Sequence, residues 1–287
     1  MRARLEWGLI PAVPVPFRGS TIDEQAQRDY AHWMKTQIVA GVAVWAHTGR
    51  GPHLSPAQRR LVLDTWRRAL PHKVIVAGAN GLEMAREAKR GGADALLAFP
   101  RRADPVAFHA QLAQELPVIA FYLYETAGGV AYDDATLHGI LSIPAVIGIK
   151  VATLDSVMTF QRIGAVMRDH SEKLLITGED RFLGYSFMLG ARAALIGMAS
   201  AVTDVHAALL GAFVARDAHD FLPLADKLDA FSQATFIEPM EGYIRRMLWA
   251  LADDGVIPED SCDDQWGPAL PESERAAVRR AVHEARA

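Results

Sequence analysis

Six lysines occur in the chain, and one of them is placed differently from the rest. Lys35, Lys89 and Lys227 fall in helical patterns, while Lys73 and Lys173 precede apolar runs. Only Lys150 closes such a run, within Ala-Val-Ile-Gly-Ile-Lys-Val-Ala at 145–152. Burial disfavours the charged form of an amine, so an ammonium in low-dielectric surroundings loses its proton more readily. The neutral amine can attack a carbonyl and form a Schiff base. The alternative is a lysine that snorkels out of the strand end or pairs with a carboxylate such as Glu179. Other reactive side chains close further apolar runs: His47-Thr48-Gly49-Arg50, Arg101-Arg102, Tyr122 with Tyr124-Glu125, Glu179-Asp180, and the segment from Gly197. A histidine such as His47 can exchange protons near neutral pH or simply hold its loop. Arg50, Arg101 and Arg102 can bind an acid by forked hydrogen bonds or stay solvated. Asp180 can accept hydrogen bonds from a ligand or cap the helix that follows it.

These groups need a scaffold that gathers several strand ends. Apolar runs of three to seven residues recur at 9–15, 42–46, 74–77, 95–99, 118–123, 146–149, 174–176 and 194–196. They are apolar on both faces, as buried parallel strands are. Between them, helical spacing covers 23–38, 56–70, 82–90, 105–115, 133–141 and 156–168. Ser55 before Pro56, Asn80 before Gly81, Asp104 before Pro105 and Asp155 before Ser156 mark helix starts. Eight strand–helix units without a composition break predict an α/β fold, a closed (β/α)8 TIM barrel over residues 1–216. Gly-Gly-Ala-Asp-Ala-Leu-Leu at 91–97 is echoed four units later by Gly-Ala-Arg-Ala-Ala-Leu-Ile at 190–196. The strand pattern then stops, and 217–287 reads as a C-terminal helical extension. It comprises a helix over 217–250 interrupted at Pro223 and Pro239, a loop over 253–271 and a charged amphipathic helix over 271–287. Barrels of this kind carry their chemistry at the C-terminal strand ends, where all the reactive groups above fall.

Composition excludes several classes. The 287 residues are 51% hydrophobic and 22% charged, which suits a soluble globular chain and not a disordered or collagenous one. A net charge of −4 argues against a nucleic-acid partner. The single cysteine, Cys262, allows neither an intrachain disulfide nor a cysteine metal cluster, and implies a reducing, cytoplasmic setting. Glu6 and the prolines that follow break the first apolar stretch before it reaches signal-peptide form. No apolar run is long enough for a bilayer, so no membrane partner is expected. Gly78-Ala-Asn-Gly81 lacks the Lys-Ser/Thr of a phosphate loop. The ten histidines are scattered, so no metal site is expected.

The segment Val146-Ile-Gly-Ile-Lys150-Val-Ala-Thr153 resembles the Schiff-base lysine strand of the dihydrodipicolinate synthase / N-acetylneuraminate lyase family of class I aldolases. Gly8-Leu-Ile-Pro-Ala-Val-Pro-Val-Pro-Phe17 resembles that family's opening strand. Ala46-His-Thr-Gly-Arg50, with Leu54-Ser55 and Gln58-Arg59 after it, resembles its Gly-Thr-Thr-Gly-Glu loop. The resemblance covers about residues 8–205 and implies an imine between Lys150 and a 2-oxo acid, with no other cofactor. An ungapped count back from Lys150 puts the family's catalytic tyrosine on Tyr122, or on Phe121 if the count is one residue off. By the same resemblance Thr48 and the Gly49 N–H would hold the substrate carboxylate, and Gly197 would line the pocket. Glu179 and Asp180 stand where the family's lyases bind hydroxyls. A homo-oligomer, tetramer or dimer, is implied as well.

The departures bear on substrate. His47 replaces the loop's first threonine, Arg50 its glutamate, and Arg101-Arg102 a tyrosine pair. Ala127 stands where synthases carry the arginine that binds a second carboxylate. The expectation is a lyase or aldolase acting on pyruvate or another 2-oxo acid, with a keto-deoxy sugar acid as the favoured substrate. A dehydratase working through the same imine, a dihydrodipicolinate synthase proper and a non-catalytic 2-oxo-acid-binding protein are the alternatives.

Overall fold

The eight apolar runs become eight parallel strands in the computed structural model, which describes residues 1–287. They are β1 (Leu9–Pro11), β2 (Gly41–Val44), β3 (Val74–Ala79), β4 (Ala95–Ala98), β5 (Val118–Leu123), β6 (Val146–Ala152), β7 (Leu174–Thr177) and β8 (Ala193–Ile196). Each pairs with its sequence neighbour from β2 to β8, and β8 pairs with β1. A parallel bridge between Ala12 and Ala43 joins β1 to β2 and closes the barrel. The helices alternate with the strands: α1 (Glu24–Lys35), α2 (Pro56–Ala69), α3 (Leu82–Arg90), α4 (Pro105–Leu112), α5 (Asp134–Leu141), α6 (Val157–Arg168), α7 (Leu183–Met188) and α8 (Thr203–Ala215). None of the helices is long and apolar enough to cross a membrane.

Local chemistry sets the helix starts. Ser55 and Gln58 form a reciprocal capping box at α2, with Pro56 in the first turn. Asp104 caps α4 through the Ala107 N–H. Two expected caps move by one residue. Ser156, not Asp155, caps α6 through the Thr159 N–H, and Gly81, not Asn80, precedes α3 without any side-chain cap.

Strand alternation divides the apolar residues into two layers. Ile10, Ala43, Val76, Leu97, Ile119, Phe121, Leu174, Ile176 and Leu195 fill the barrel interior. Their neighbours, including Ala120, Tyr122, Ile149 and Val151, face the surrounding helices. β6 runs on to Ala152, so Lys150 lies inside the strand, in register with Phe121 and pointing inward.

The chain continues into α9 (Ala218–Thr235), α10 (Tyr243–Asp253) and α11 (Glu272–Arg286). Pro223 was expected to interrupt the first of these, but α9 passes through it. Its position in the second turn limits the disruption to one backbone hydrogen bond. The break comes at 236–242, around Pro239. These helices share one apolar core with the barrel helices. The loop at 254–271 folds back over the barrel mouth: Asp263 bridges Phe17, and Trp266 lies edge-on to Phe17 and stacks on His53.

Candidate active site

At the C-terminal end of the barrel, Lys150 forms the floor of a cavity of about 30 Å³. His47, Thr48, Phe121, Tyr124, Glu179, Asp180, Gly197 and Tyr243 are among its walls. Lys150 is buried, and its Nζ makes no hydrogen bond to the protein; it lies 4.3 Å from the centroid of the Phe121 ring. That contact is a cation–π geometry when the amine is charged. Desolvation lowers the Lys150 pKa to about 8, against the opposing pull of Asp180 and Glu179. Gly178 is what lets the side chain stand there, since a Cβ at that position would come within 2.6 Å of Lys150 Cε.

The two carboxylates have distinct roles. Glu179 accepts from the Thr153 N–H (2.6 Å), the Thr153 hydroxyl (2.9 Å) and the Leu154 N–H (3.1 Å). It therefore braces the loop after β6 and has little capacity left for a hydroxylated ligand. Burial raises its pKa to about 8, against those hydrogen bonds. Asp180 accepts from the Met198 N–H at 2.8 Å, tying the loop after β7 to the one after β8. It does not cap α7, whose N-cap is Phe182. Burial raises its carboxyl to about 7, opposed by those backbone contacts and by Lys150.

The loop after β2 departs from expectation at Gly49. Its N–H is bonded to the Ala46 carbonyl, so it is not available to a substrate carboxylate. Thr48 keeps both its hydroxyl and a backbone N–H at the cavity, the latter without a backbone partner. Its Oγ1 lies 3.0 Å from Tyr243 Oη. Gly197 faces the same point, where a Cβ would lie 3.0 Å from Thr48 Oγ1 and 3.1 Å from Tyr243 Cε2.

Tyr122 is not in the cavity. Strand alternation turns it outward, edge-on to Tyr132 with centroids 6.4 Å apart, and its hydroxyl has no hydrogen bond. Phe121 takes the inward place opposite Lys150, as a count shifted by one residue would have it. Tyr124 does line the cavity, because β5 ends at Leu123 and the alternation ends with it. Burial raises its phenol pKa well above 10. Tyr122→Phe is accordingly expected to leave steady-state rates near wild type. A hundredfold fall, the lower end of what a positioned acid/base contributes, would overturn this placement.

None of the three arginines offers a free cation to the cavity. Arg50 is buried and clamped, by Asp264 (3.1 and 2.7 Å) and by Glu241 (2.7 Å). Arg101 is exposed, with its guanidinium 5.2 Å above the Phe108 ring. Arg102 is exposed, near Glu125. A groove of about 370 Å³ opens beside the cavity, lined by His47, Arg50, Asn80, Thr126, Ala127 and Glu241 among others. His47 borders both spaces.

Sequence reasoning missed Phe236, Glu241 and Tyr243. They come from the 236–242 break and the start of α10, where no strand end marks a site.

A buried, unpaired lysine at the C-terminal mouth of a closed (β/α)8 barrel defines the structural class. Comparisons with known proteins identify its relatives. No family model matches the chain. It is 26% identical to the 4-hydroxy-tetrahydrodipicolinate synthase of Ruegeria pomeroyi, covering 97% of this chain and 98% of that one. It superposes with a TM-score of 0.87 on a pyruvate-bound prophage protein of the dihydrodipicolinic acid synthase family from E. coli K12, at 18% identity over 97% and 98% of the chains. N-acetylneuraminate lyase from Mycoplasma synoviae gives 0.80 at 18% identity over 99% of both. The chain is similar over nearly its whole length to 4-hydroxy-tetrahydrodipicolinate synthases, and it shares its fold with members of the dihydrodipicolinate synthase and N-acetylneuraminate lyase families.

Proposed function

We propose that this chain is a Schiff-base lyase or aldolase that acts on pyruvate or another 2-oxo acid. The observation that carries the reading is Lys150, an inward-facing amine with no hydrogen-bonding partner, at the floor of the mouth cavity. Its lowered pKa leaves a neutral, nucleophilic fraction near physiological pH. The amine adds to the keto carbon, and loss of water gives the iminium. Asp180, with its carboxyl raised to about 7, faces the amine and can supply the proton that the departing water takes. The Thr48 hydroxyl and N–H supply donors for the substrate carboxylate. The iminium withdraws the electrons of the C3–C4 bond, so the chemistry calls on no metal or further cofactor.

The cavity itself holds little more than a water, so a 2-oxo acid enters as its wall gives toward the groove. The groove then receives the distal part of the substrate. Its side chains His47, Asn80, Thr126 and Glu241 suit hydroxyl groups. Arg50 is already neutralised by two carboxylates, and Ala127 contributes no charge. This favours a keto-deoxy sugar acid. The name of the curated relatives favours a synthase, but joining pyruvate to an amino-acid semialdehyde calls for a cation that the groove does not offer.

The test is borohydride trapping across a panel of 2-oxo acids, read by intact mass and peptide mapping. One adduct per chain, on Lys150, is the expected result. Labelling elsewhere, or none with any acid in the panel, ends the reading.

A further inference from the structure

Behind the cavity lies a chain of close polar contacts that joins two distant parts of the sequence. Glu241 Oε1 is 3.2 Å from His47 Nε2. His47 Nδ1 is 3.0 Å from Tyr243 Oη, and Tyr243 Oη is 3.0 Å from Thr48 Oγ1. The His47 and Tyr243 rings stack with centroids 5.9 Å apart, and Phe236 stacks on the other side of Tyr243 at 4.6 Å. The distances allow a pattern with a neutral imidazole. If the phenol donates to Nδ1, the imidazole hydrogen is on Nε2, the nitrogen that lies 3.2 Å from the Glu241 carboxylate. Burial alone would raise the Glu241 pKa, but the hydrogen bonds and charges of His47 and Arg50 outweigh it and hold the carboxylate at about 2. Arg50 is in turn fixed by Asp264.

We propose that Tyr243, His47 and Glu241 form a proton relay for a substrate held on Lys150. This rests on the imine reading above. Tyr243 is the catalytic residue, because it shares the cavity with Lys150. His47 takes the proton that Tyr243 passes on, and Glu241 is a positioning residue that fixes the tautomer. Burial keeps the Tyr243 pKa well above 10, so the phenol remains a neutral conduit and not a standing phenolate. His47 borders the groove as well as the cavity, which opens a route to solvent. Tyr124 lacks such a base behind it, since its hydroxyl makes no hydrogen bond.

In cleavage, Tyr243 Oη accepts the proton of the substrate C4 hydroxyl while its own proton moves to His47 Nδ1. The C3–C4 electron pair becomes the C2=C3 bond of the enamine, the iminium nitrogen becomes neutral, and an aldehyde leaves. Returning the proton to C3 gives the pyruvate iminium, which water hydrolyses to pyruvate and the free Lys150 amine. Glu241, Tyr243, Arg50 and His53 are the titratable groups around His47. Asp180 and Tyr124 face Tyr243.

The same relay removes a methyl proton from the pyruvate iminium. The experiment therefore follows hydrogen–deuterium exchange of pyruvate in D2O by NMR, beside borohydride trapping on Lys150. Tyr243→Phe is expected to trap pyruvate but to exchange it some 10²- to 10⁴-fold more slowly. His47→Gln should slow exchange about as much as Tyr243→Phe while still trapping pyruvate. Glu241→Gln should slow exchange without abolishing trapping. Wild-type exchange in Tyr243→Phe or in His47→Gln, or trapping without any exchange in the wild type, would overturn the relay. If Tyr243→Phe does not fold, His47→Gln decides. Absence of trapping in the wild type points instead to failure of the imine reading.

Discussion

Lys150→Ala is expected to abolish both trapping and turnover, lowering kcat by four orders of magnitude or more, on the order of 5–6 kcal/mol of lost transition-state stabilisation. The other lysines lie on helices or at the opposite end of the barrel, so none can substitute. The wild type should also show a characteristic pH dependence. Only the neutral amine is nucleophilic, and below its pKa the neutral fraction grows tenfold per pH unit. With Lys150 at about 8 and its proton donor Asp180 at about 7, the trapping rate should climb with pH to a maximum between them and fall above it as Asp180 loses its proton. Stopped-flow imine formation over pH 6–10 checks this at about half-unit steps. A rate still rising in proportion through pH 10 would mean that burial does not depress this amine.

Arg50→Ala is expected to destabilise the fold by about 3–5 kcal/mol, because it leaves the buried Asp264 carboxylate and the half-buried Glu241 without their cation. The Asp264 side chain is 2% exposed and that of Arg50 is 7%. Asp264 would keep only a long contact with the Trp266 N–H, at 3.4 Å. The corresponding fall in Tm is roughly 10 °C. Arg50→Lys should recover part of the loss but not all, since an ammonium cannot fork onto Asp264 while also reaching Glu241. Activity should fall in Arg50→Ala as well, because Glu241 and Tyr243 lose the tie that holds their segment to the loop after β2. Thermal and urea denaturation measure the first effect, and pyruvate exchange the second. Stability within about 1 kcal/mol of wild type would show that water relieves the buried carboxylates.

The sequence alone determined the barrel. Eight apolar runs and the helices between them are repeating local patterns, and only closure of the sheet buries both faces of every strand. Lys150 was legible for the same reason: a single charge at the end of an apolar run has few places to go. Thr48 was legible from its place between a strand and a helix. Tertiary structure decided the rest. Whether Phe121 or Tyr122 faces inward depends on a period of two, so a register error of one residue exchanges the two faces. Arg50, read as a possible substrate ligand, is instead neutralised by Asp264, 214 residues away in sequence. Glu241 and Tyr243 reach the barrel mouth only because the chain breaks at 236–242 and the final helices dock on the barrel core. Local periodicity reports which face of a segment is buried. It carries no information on which distant segment covers it, and in this protein that segment supplies Tyr243 to the cavity that Lys150 lines.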